Sequence, residues 1–289
     1  MATFGVELEC ASPVSHADVA DALRAAGVNA VTASYAGRDY SVWQVKADST
    51  IPTSRSHRWQ VEVVSPVLSW GDESSLAQLR TVCDVLGRLD ARVLRPVGDR
   101  SAGLHVHVQM DDLGPAGLAR WIRSWAAFQS VTDSLVRSGR ESGGAHARWC
   151  AVLAPRQINR IAEFAASGDA RALSGVADSH GLAVNTQWFA QRGTLEIRQR
   201  DGSTNFAKIV GWVAYIMATR AHAESGHVFT GSVGYLDWLV LMGYLSGEHR
   251  DWAERRNCGG ARTVAEHADG VQVVALDRLA RLRQLQGIS

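Results

Sequence analysis

The chain has 289 residues, of which 46% are hydrophobic and 20% are charged. This length can bury the core of one large domain, or of one domain with a helical appendage. The net charge of +1 and the lack of a basic stripe argue against nucleic-acid binding by bulk electrostatics.

The four cysteines are far apart in the sequence. They form neither the paired spacing of a zinc site nor a compact disulfide framework, which predicts a reducing, cytoplasmic environment. The first residues lead into a strand pattern without a signal peptide. The most apolar stretch, 235–245, is interrupted by Asp237 and Gly243 and is too short to span a bilayer, so no membrane segment is expected.

The first predicted strand, residues 3–10, alternates acidic with apolar side chains. In an extended strand Glu7 and Glu9 share one face, while Val6 and Leu8 share the other. A half-solvated strand also alternates in this way, and for one segment that explanation is the commoner one.

Two helices and two strands are predicted next. Apolar stripes indicate helices at 15–26 and 75–88, and strands are expected near 40–47 and 58–64. The loop 47–56 between the strands is rich in hydroxyl and turn residues, which suits an edge that faces a ligand.

The strand alternation then recurs with side chains that are suited to chemistry. A solvated sheet face usually carries Thr, Ser and Lys, whereas these positions hold acids, paired histidines and an arginine. They are Gln44, Lys46 and Asp48, then Gln60 and Glu62, then His105 and His107 in a strand at 103–110, and finally Glu196 and Arg198. The repetition predicts one sheet face that holds cations and phosphate.

The second half of the chain is mainly helical in pattern. A long helix begins at Gly114, and its aromatic stripe is more typical of a core than of a cofactor site. The segment 138–148 is rich in Gly and Ser, and a lid and a surface linker are equally good interpretations. Residues 182–189 and 194–200 are expected to form a hairpin, followed by a helix at 206–223.

These elements predict an α+β fold with a curved antiparallel or mixed sheet. Helices would cover its outer face, and the other face would stay open as a trough that holds the chemistry. We expect a catalytic domain over residues 1–230 and a helical C-terminal extension over 231–289, which could support a homo-oligomer.

Carboxylates in this trough suit hard cations such as Mg²⁺. Glu7, Glu9, Glu62 and Glu196, with Asp48 close by, could hold two such ions, and without cations they would repel one another.

The cationic side chains of the trough each have two interpretations. Arg198 shares a strand face with Glu196, where it could clamp a phosphate or form a structural salt bridge. His105 and His107 could ligate a metal or donate to a phosphoryl oxygen, although a histidine pair taken alone is more typical of zinc or of packing.

Five motifs, in this order, resemble the amidoligases, which are carboxylate–amine ligases of the glutamine synthetase and glutamate–cysteine ligase fold. The resemblance spans about residues 3–215. The motifs are Phe4-Gly5-Val6-Glu7-Leu8-Glu9, Trp43-Gln44-Val45-Lys46-Ala47-Asp48-Ser49, Glu62-Val63-Val64-Ser65-Pro66, Gly103-Leu104-His105-Val106-His107-Val108 and Thr194-Leu195-Glu196-Ile197-Arg198.

The resemblance implies a funnel-shaped active site that binds ATP and two or three Mg²⁺ ions, for which Mn²⁺ can substitute. The implied metal ligands are Glu7, Glu9, Glu62, His105 and Glu196. The implied nucleotide or phosphate contacts are His105, His107, Lys46, Asn185 and Arg198. The implied catalytic residues are Arg198, Asp48 and Glu62, with Asp48 near the metal or the incoming amine.

The reaction implied by the resemblance forms an amide through an acyl phosphate and releases ADP and phosphate. The partners would be small-molecule, amino-acid or peptide carboxylates and amines. Two alternatives stay open: a zinc-dependent hydrolase that uses His105, His107 and a carboxylate, and a non-catalytic nucleotide-binding relative.

Overall fold

The computed structural model describes residues 2–34, 39–97, 100–128, 167–174, 181–227, 229, 234–246 and 248–249, together with the single residues 132, 135, 136, 150, 151, 159, 160, 163 and 164. The segment 138–148 and the tail beyond residue 249 lie outside the described residues.

The described part of the chain forms eight strands, seven α-helices and one 3₁₀ turn, in a mixed α and β arrangement. The strands are β1 Thr3–Ser12, β2 Ala30–Thr32, β3 Trp43–Lys46, β4 Trp59–Val64, β5 Leu68–Ser69, β6 Gly103–Gln109, β7 Val184–Asn185 and β8 Thr194–Asp201. The helices are α1 His16–Ala25, α2 Glu73–Arg88, α3 Gly114–Ala127, α4 Ala170–Ser174, α5 Phe189–Arg192, α6 Phe206–Ser225 and α7 Tyr235–Leu241, and the 3₁₀ turn is Asp111–Leu113.

The chain divides into two compact units. The first contains Met1–Asp112, Ser138–Leu153 and Ala170–Val210, and the second contains Leu113–Arg137, Ala154–Asp169 and Gly211–Ser289. The division at residue 230 stays a prediction.

All eight strands belong to one sheet in the first unit. Their order is β2-β3-β4-β1-β6-β8-β7, and β5 pairs with β1. Every pairing is antiparallel except the parallel pair β2 and β3. The predicted antiparallel or mixed sheet is therefore confirmed, while its funnel shape stays a prediction.

Alternation along the central strand separates an apolar face from a polar face. Val6 and Leu8 of β1 are 1% and 0% exposed. Helix α1 packs against β2, β3 and α2, and the Trp43 indole donates a hydrogen bond to Gln78 of α2. The helices predicted at 15–26 and 75–88 are thus present, and the side chains of Ser15 and Asp72 cap them.

The prediction of a simple hairpin over residues 182–200 is wrong about the segment that connects the two strands. Strand β7 contains two residues, and helix α5 lies where a turn was expected. Gly193 ends this helix with a positive φ of 67°, a conformation that glycine adopts without steric cost. The antiparallel pairing itself is present, and it sets Asn185 opposite Glu196.

The described part of the second unit is helical, and its helices carry buried aromatic side chains. Trp121 stacks on Trp125 with ring centroids 4.9 Å apart, and the Trp121 indole donates a hydrogen bond to the Thr219 hydroxyl. Both tryptophans are buried, so the aromatic stripe of α3 belongs to a core as predicted. No described helix is long and apolar enough to cross a membrane.

Candidate active site

Strand register brings the polar positions of five strands onto one surface. The paired residues are Glu9 with Glu62, Glu7 with His105, His107 with Glu196, and Lys46 with Glu62. This surface lines a cavity of about 940 Å³. The predicted site residues that line it are Glu7, Glu9, Lys46, Asp48, Glu62, His105, His107, Glu196 and Arg198.

Glu7 lies between the two histidines. Its Oε2 is 3.1 Å from Nδ1 of His105, and its Oε1 is 3.0 Å from Nε2 of His107. Burial alone would raise the pKa of the Glu7 carboxyl, but the charge of His107 and the hydrogen bonds from both rings hold that pKa well below its usual range. Glu7 is therefore ionised at neutral pH.

Both histidines carry extra positive charge because of these acids. Burial opposes protonation of His107, but Glu7 and Glu196 together raise its pKa to about 9. Burial and Arg198 likewise oppose protonation of His105, and Glu9, Glu7 and Glu196 overcome them, so that its pKa is also raised. The histidines therefore partly neutralise the acids.

Glu9 is anchored by a backbone hydrogen bond and lies close to the His105 ring. Its Oε2 accepts a 2.6 Å hydrogen bond from the Gly103 N–H. Burial raises the pKa of the Glu9 carboxyl, and the hydrogen bond and the charge of His105 only partly offset this effect. The carboxylate is thus held in place at a cost that a bound cation would relieve.

Glu196 is held from two sides. The Asn185 amide donates a 2.8 Å hydrogen bond to its Oε2, and the Arg198 guanidinium donates to its Oε1. Burial raises the pKa of the Glu196 carboxyl, but Arg198 and His107 outweigh burial and lower it. Glu196 is therefore an ionised carboxylate in a fixed orientation.

Glu62 is the least compensated acid of the cluster. Burial, followed by the charge of Glu7, raises its pKa to about 8, although Lys46 acts in the opposite direction. Without a cation, Glu62 is mostly protonated at neutral pH. The acids of this surface therefore carry more potential negative charge than the neighbouring side chains can balance.

Asp48 lies in the loop that follows β3. Its Oδ1 accepts two hydrogen bonds of 2.7 Å, from the backbone N–H and from the hydroxyl of Thr50. This is the turn chemistry expected of an Asp two residues before a hydroxyl residue. Asp48 lines the cavity and raises the pKa values of Glu9 and Glu62.

One group in the described part of the chain has the geometry of a metal site. Glu7, His107 and Glu196 each offer a ligand atom, and these atoms lie within 4.8 Å of one another. Two carboxylates and one histidine form an oxygen-rich set that is closer to the preference of Mg²⁺ or Mn²⁺ than to that of structural zinc. His105 is not part of this group, and a zinc site that uses His105, His107 and a carboxylate stays an alternative.

The structure places one predicted contact residue behind the cavity. Asn185 is 2% exposed, and its amide supports Glu196 while its carbonyl oxygen accepts from the Gln187 N–H. The geometry thus makes Asn185 a positioning residue for a carboxylate.

The sequence did not predict a role for Gly103 in the site. A Cβ atom there would come within 2.6 Å of His105 Nε2, so a side chain would displace that ring. The only signal was a glycine at the start of a strand of alternating histidines.

The mostly antiparallel sheet carries acids, histidines and an arginine that face one cavity. A family model described as "Putative amidoligase enzyme" matches residues 1–219. The chain belongs to this amidoligase family, whose name indicates a ligase-type enzyme. A search of curated proteins finds no match.

Proposed function

We propose that this protein is an ATP- and Mg²⁺-dependent carboxylate–amine ligase that forms an amide through an acyl phosphate. The observation that carries the proposal is the Glu7, His107 and Glu196 group, set among further acids in a large cavity. Membership of the amidoligase family supplies the reaction class.

A carboxylate must be activated before an amine can convert it to an amide, and a phosphate donor such as ATP provides this activation. A carboxylate is a poor electrophile, because its oxygen leaves only as a high-energy oxide. In the proposed reaction a carboxylate oxygen attacks the γ-phosphorus of ATP, and the bond to ADP breaks. The amine nitrogen then attacks the acyl carbon and loses a proton, while phosphate leaves with the electrons of the broken C–O bond.

The donor set fits Mg²⁺. The surface provides the buried acids Glu9, Glu62 and Glu196 beside the partly exposed Glu7, and burial together with the Glu7 charge raises the pKa of Glu62. These four carboxylates would hold the ions, together with His107 or His105. Bound Mg²⁺ supplies electrostatic stabilisation of phosphoryl oxygens.

Three cationic side chains are suited to the transferred phosphate. The Arg198 guanidinium is fixed by Glu196, and the Glu196, Glu9 and Glu7 carboxylates raise its pKa in spite of burial, so it stays charged. The histidine that does not bind the metal can donate to a phosphoryl oxygen, because the pKa values of both rings are raised. Lys46 faces the same cavity from β3. Preorganised donors of this kind act where negative charge accumulates.

Asp48 is the acid best placed to meet an amine. It lies on the loop edge of the cavity, and Thr50 occupies only its Oδ1 among the described residues. In the proposed reaction its other oxygen orients the amine and accepts the proton that the amine loses.

Calorimetric titration of the metal-stripped protein with ATP, with and without Mg²⁺, tests this function. The key variant is Glu9→Gln, because a glutamine oxygen can still accept from the Gly103 N–H while the charge is lost. We expect wild-type binding that requires Mg²⁺ and is at least 10-fold weaker in Glu9→Gln, in line with the loss of a charged ligand.

Glu73→Gln is the matched control, because Glu73 is exposed in the first turn of α2. It should bind ATP as the wild type does. Absence of Mg²⁺-dependent ATP binding in the wild type would contradict the proposal. Stoichiometric zinc in the purified protein, without ATP binding, would instead favour a hydrolase.

A further inference from the structure

Arg192 lies at one end of the cavity between two aromatic rings. Its guanidinium carbon is 4.7 Å from the centre of the Trp188 ring and 5.4 Å from the centre of the Tyr40 ring. All three side chains line the cavity. This arrangement, the Arg192 clamp, is separate from the acids and histidines described above.

The clamp joins opposite sides of the sheet. Tyr40 precedes β3, whereas Trp188 and Arg192 precede β8, and β4, β1 and β6 lie between those strands. In a flat sheet, β3 and β8 would be four strand spacings of about 4.8 Å apart, which is more than the Tyr40 and Arg192 side chains can span together. Their contact therefore requires the sheet to curve. The clamp therefore closes one end of the cavity, where a ligand would terminate.

The stacking leaves the N–H groups of Arg192 accessible to a ligand. Aromatic rings engage the faces of a guanidinium, while its five N–H donors point outward in its plane. Among the described residues, no carboxylate lies within 4.0 Å of the Arg192 guanidinium, whereas Arg198 pairs with Glu196. Arg192 is thus a preorganised cation that lines the cavity, and no acid among the described residues pairs with it.

Three polar residues that line this end of the cavity are neutral, whereas the Asp111 carboxylate lies beside Gly193 and does not line the cavity. The Thr3 hydroxyl donates to the Gln109 side chain at 2.9 Å, and both residues line the cavity together with Thr194. Unlike the cluster around Glu7, they would not repel an anion. The rim is apolar at Val67, which is 62% exposed.

The position of the clamp sets the length of the ligand. Arg192 ends α5 and precedes Glu196 by four residues, of which only those from Thr194 onward are extended at about 3.4 Å per residue, so it lies on the order of 10 Å from the acid cluster. A nucleotide phosphate has to reach the acids, Arg198 and the histidines to react. An anion bound by Arg192 therefore belongs to a molecule other than the nucleotide, and to the end of that molecule that lies away from the acid cluster.

We propose that Arg192 binds a carboxylate at the remote end of one of the two ligase substrates, which is an amino acid or short peptide with a free carboxylate. The guanidinium edge would hold this carboxylate in a two-pronged hydrogen bond. Tyr40 and Trp188 fix the plane of the fork and cover the aliphatic part of the substrate. This specificity site rests on the proposed function.

The test uses glutarate, suberate and sebacate as probes, titrated into the full-length protein with Mg²⁺. Because each is a dicarboxylate, one end can occupy the metal-binding end of the cavity and the other can reach the clamp. We expect one chain length to bind best, and Arg192→Gln to weaken that binding by about 10- to 100-fold. Arg192→Lys should recover only part of the affinity, because lysine lacks the planar fork.

Arg88→Gln is the matched control, since Arg88 is an exposed arginine of α2 outside this cavity, and it should bind the probe as the wild type does. Equal binding by wild type and Arg192→Gln, or no dicarboxylate binding by the wild type, would overturn the proposal. So would an equal loss of Mg²⁺–ATP binding in Arg192→Gln, because the clamp would then hold a nucleotide. If the wild type binds no ATP, the ligase proposal fails, while the dicarboxylate comparison still decides the role of Arg192.

Discussion

Gly103 fixes Glu9 and His105 at the same time. Its N–H donates a 2.6 Å hydrogen bond to Glu9 Oε2, and its missing side chain leaves the space that the His105 ring occupies. One residue at the start of β6 therefore orients an acid and a histidine whose side chains come within 3.5 Å of each other.

Gly103→Ala should disturb this site more than the fold. The added Cβ would lie 2.6 Å from His105 Nε2, so the ring must move. We expect a destabilisation of about 1–3 kcal/mol, typical of overpacking, and at least a 10-fold loss of Mg²⁺-dependent ATP affinity. Urea unfolding and calorimetric titration measure the two effects.

Gly87→Ala is the control for Gly103→Ala. Gly87 is an exposed residue of α2, and a Cβ there meets nothing within 4 Å. Alanine favours helix by up to about 1 kcal/mol over glycine, so this variant should be slightly stabilised and should bind ATP normally. Normal ATP binding by Gly103→Ala would show that the His105 position is unimportant for the site.

Asn185 should influence metal binding without touching the metal. Asn185→Ala leaves Glu196 Oε2 without its buried donor, and loss of such a support typically weakens metal affinity 10- to 100-fold. We expect a loss of about 10-fold in apparent Mg²⁺ affinity, measured by titrating Mg²⁺ at fixed ATP.

Asn205→Ala provides the comparison for Asn185→Ala. The Asn205 side chain accepts from the Lys208 N–H at the start of α6, so its loss should lower stability by about 1 kcal/mol and leave the Mg²⁺ affinity unchanged. Equal Mg²⁺ affinities for the two variants would show that Asn185 does not influence metal binding.

The sequence predicted the charged surface well because strand alternation is a local property. The side-chain period of two places Glu7 and Glu9 on one face whatever the partners of β1 are. The repeated pattern then identified nine cavity-lining residues and the antiparallel sheet. Ser15 and Asp72 likewise cap the two predicted helices through contacts within one turn.

Long-range geometry could not be predicted in this way. The contact between Arg192 and Tyr40 joins residues about 150 positions apart in sequence and depends on the curvature of the sheet. A shift in register between Leu104 and Val106 changes the pairing of β6 with β8 around His105. The helix Phe189–Arg192 was mistaken for a turn because it is short and carries few periodic signals.

Asp48 stabilises its loop through Thr50, and two substitutions separate the contribution of these hydrogen bonds from that of its charge. In Asp48→Asn the side-chain oxygen still accepts from Thr50, so stability should stay within about 0.5 kcal/mol of wild type, whereas Asp48→Ala loses both hydrogen bonds and about 1–2 kcal/mol. Thermal unfolding of the two variants measures this difference. Equal destabilisation by both would mean that charge, rather than the turn, is what stabilises the loop.

Glu62 should make the stability of the metal-free protein depend on pH. Its pKa of about 8 lies above the ordinary value of 4.5, because burial and Glu7 oppose ionisation. The folded protein therefore holds the proton more tightly than the unfolded chain does. This contribution is fully present below about pH 4.5 and is lost as the pH rises through about 8.

Glu62→Gln keeps the shape of the side chain and removes this dependence. In EDTA, the free energy of unfolding of the variant should be close to that of the wild type at pH 5 and higher by on the order of 2 kcal/mol at pH 9, measured by urea unfolding. Added Mg²⁺ should stabilise the wild type at pH 9 more than the variant, because a cation offsets the charge that Glu62 acquires. Glu73→Gln should change stability by a few tenths of a kcal/mol at both pH 5 and pH 9. A constant difference between wild type and Glu62→Gln from pH 5 to pH 9 would show that Glu62 is ionised throughout and that the cluster does not lack a cation.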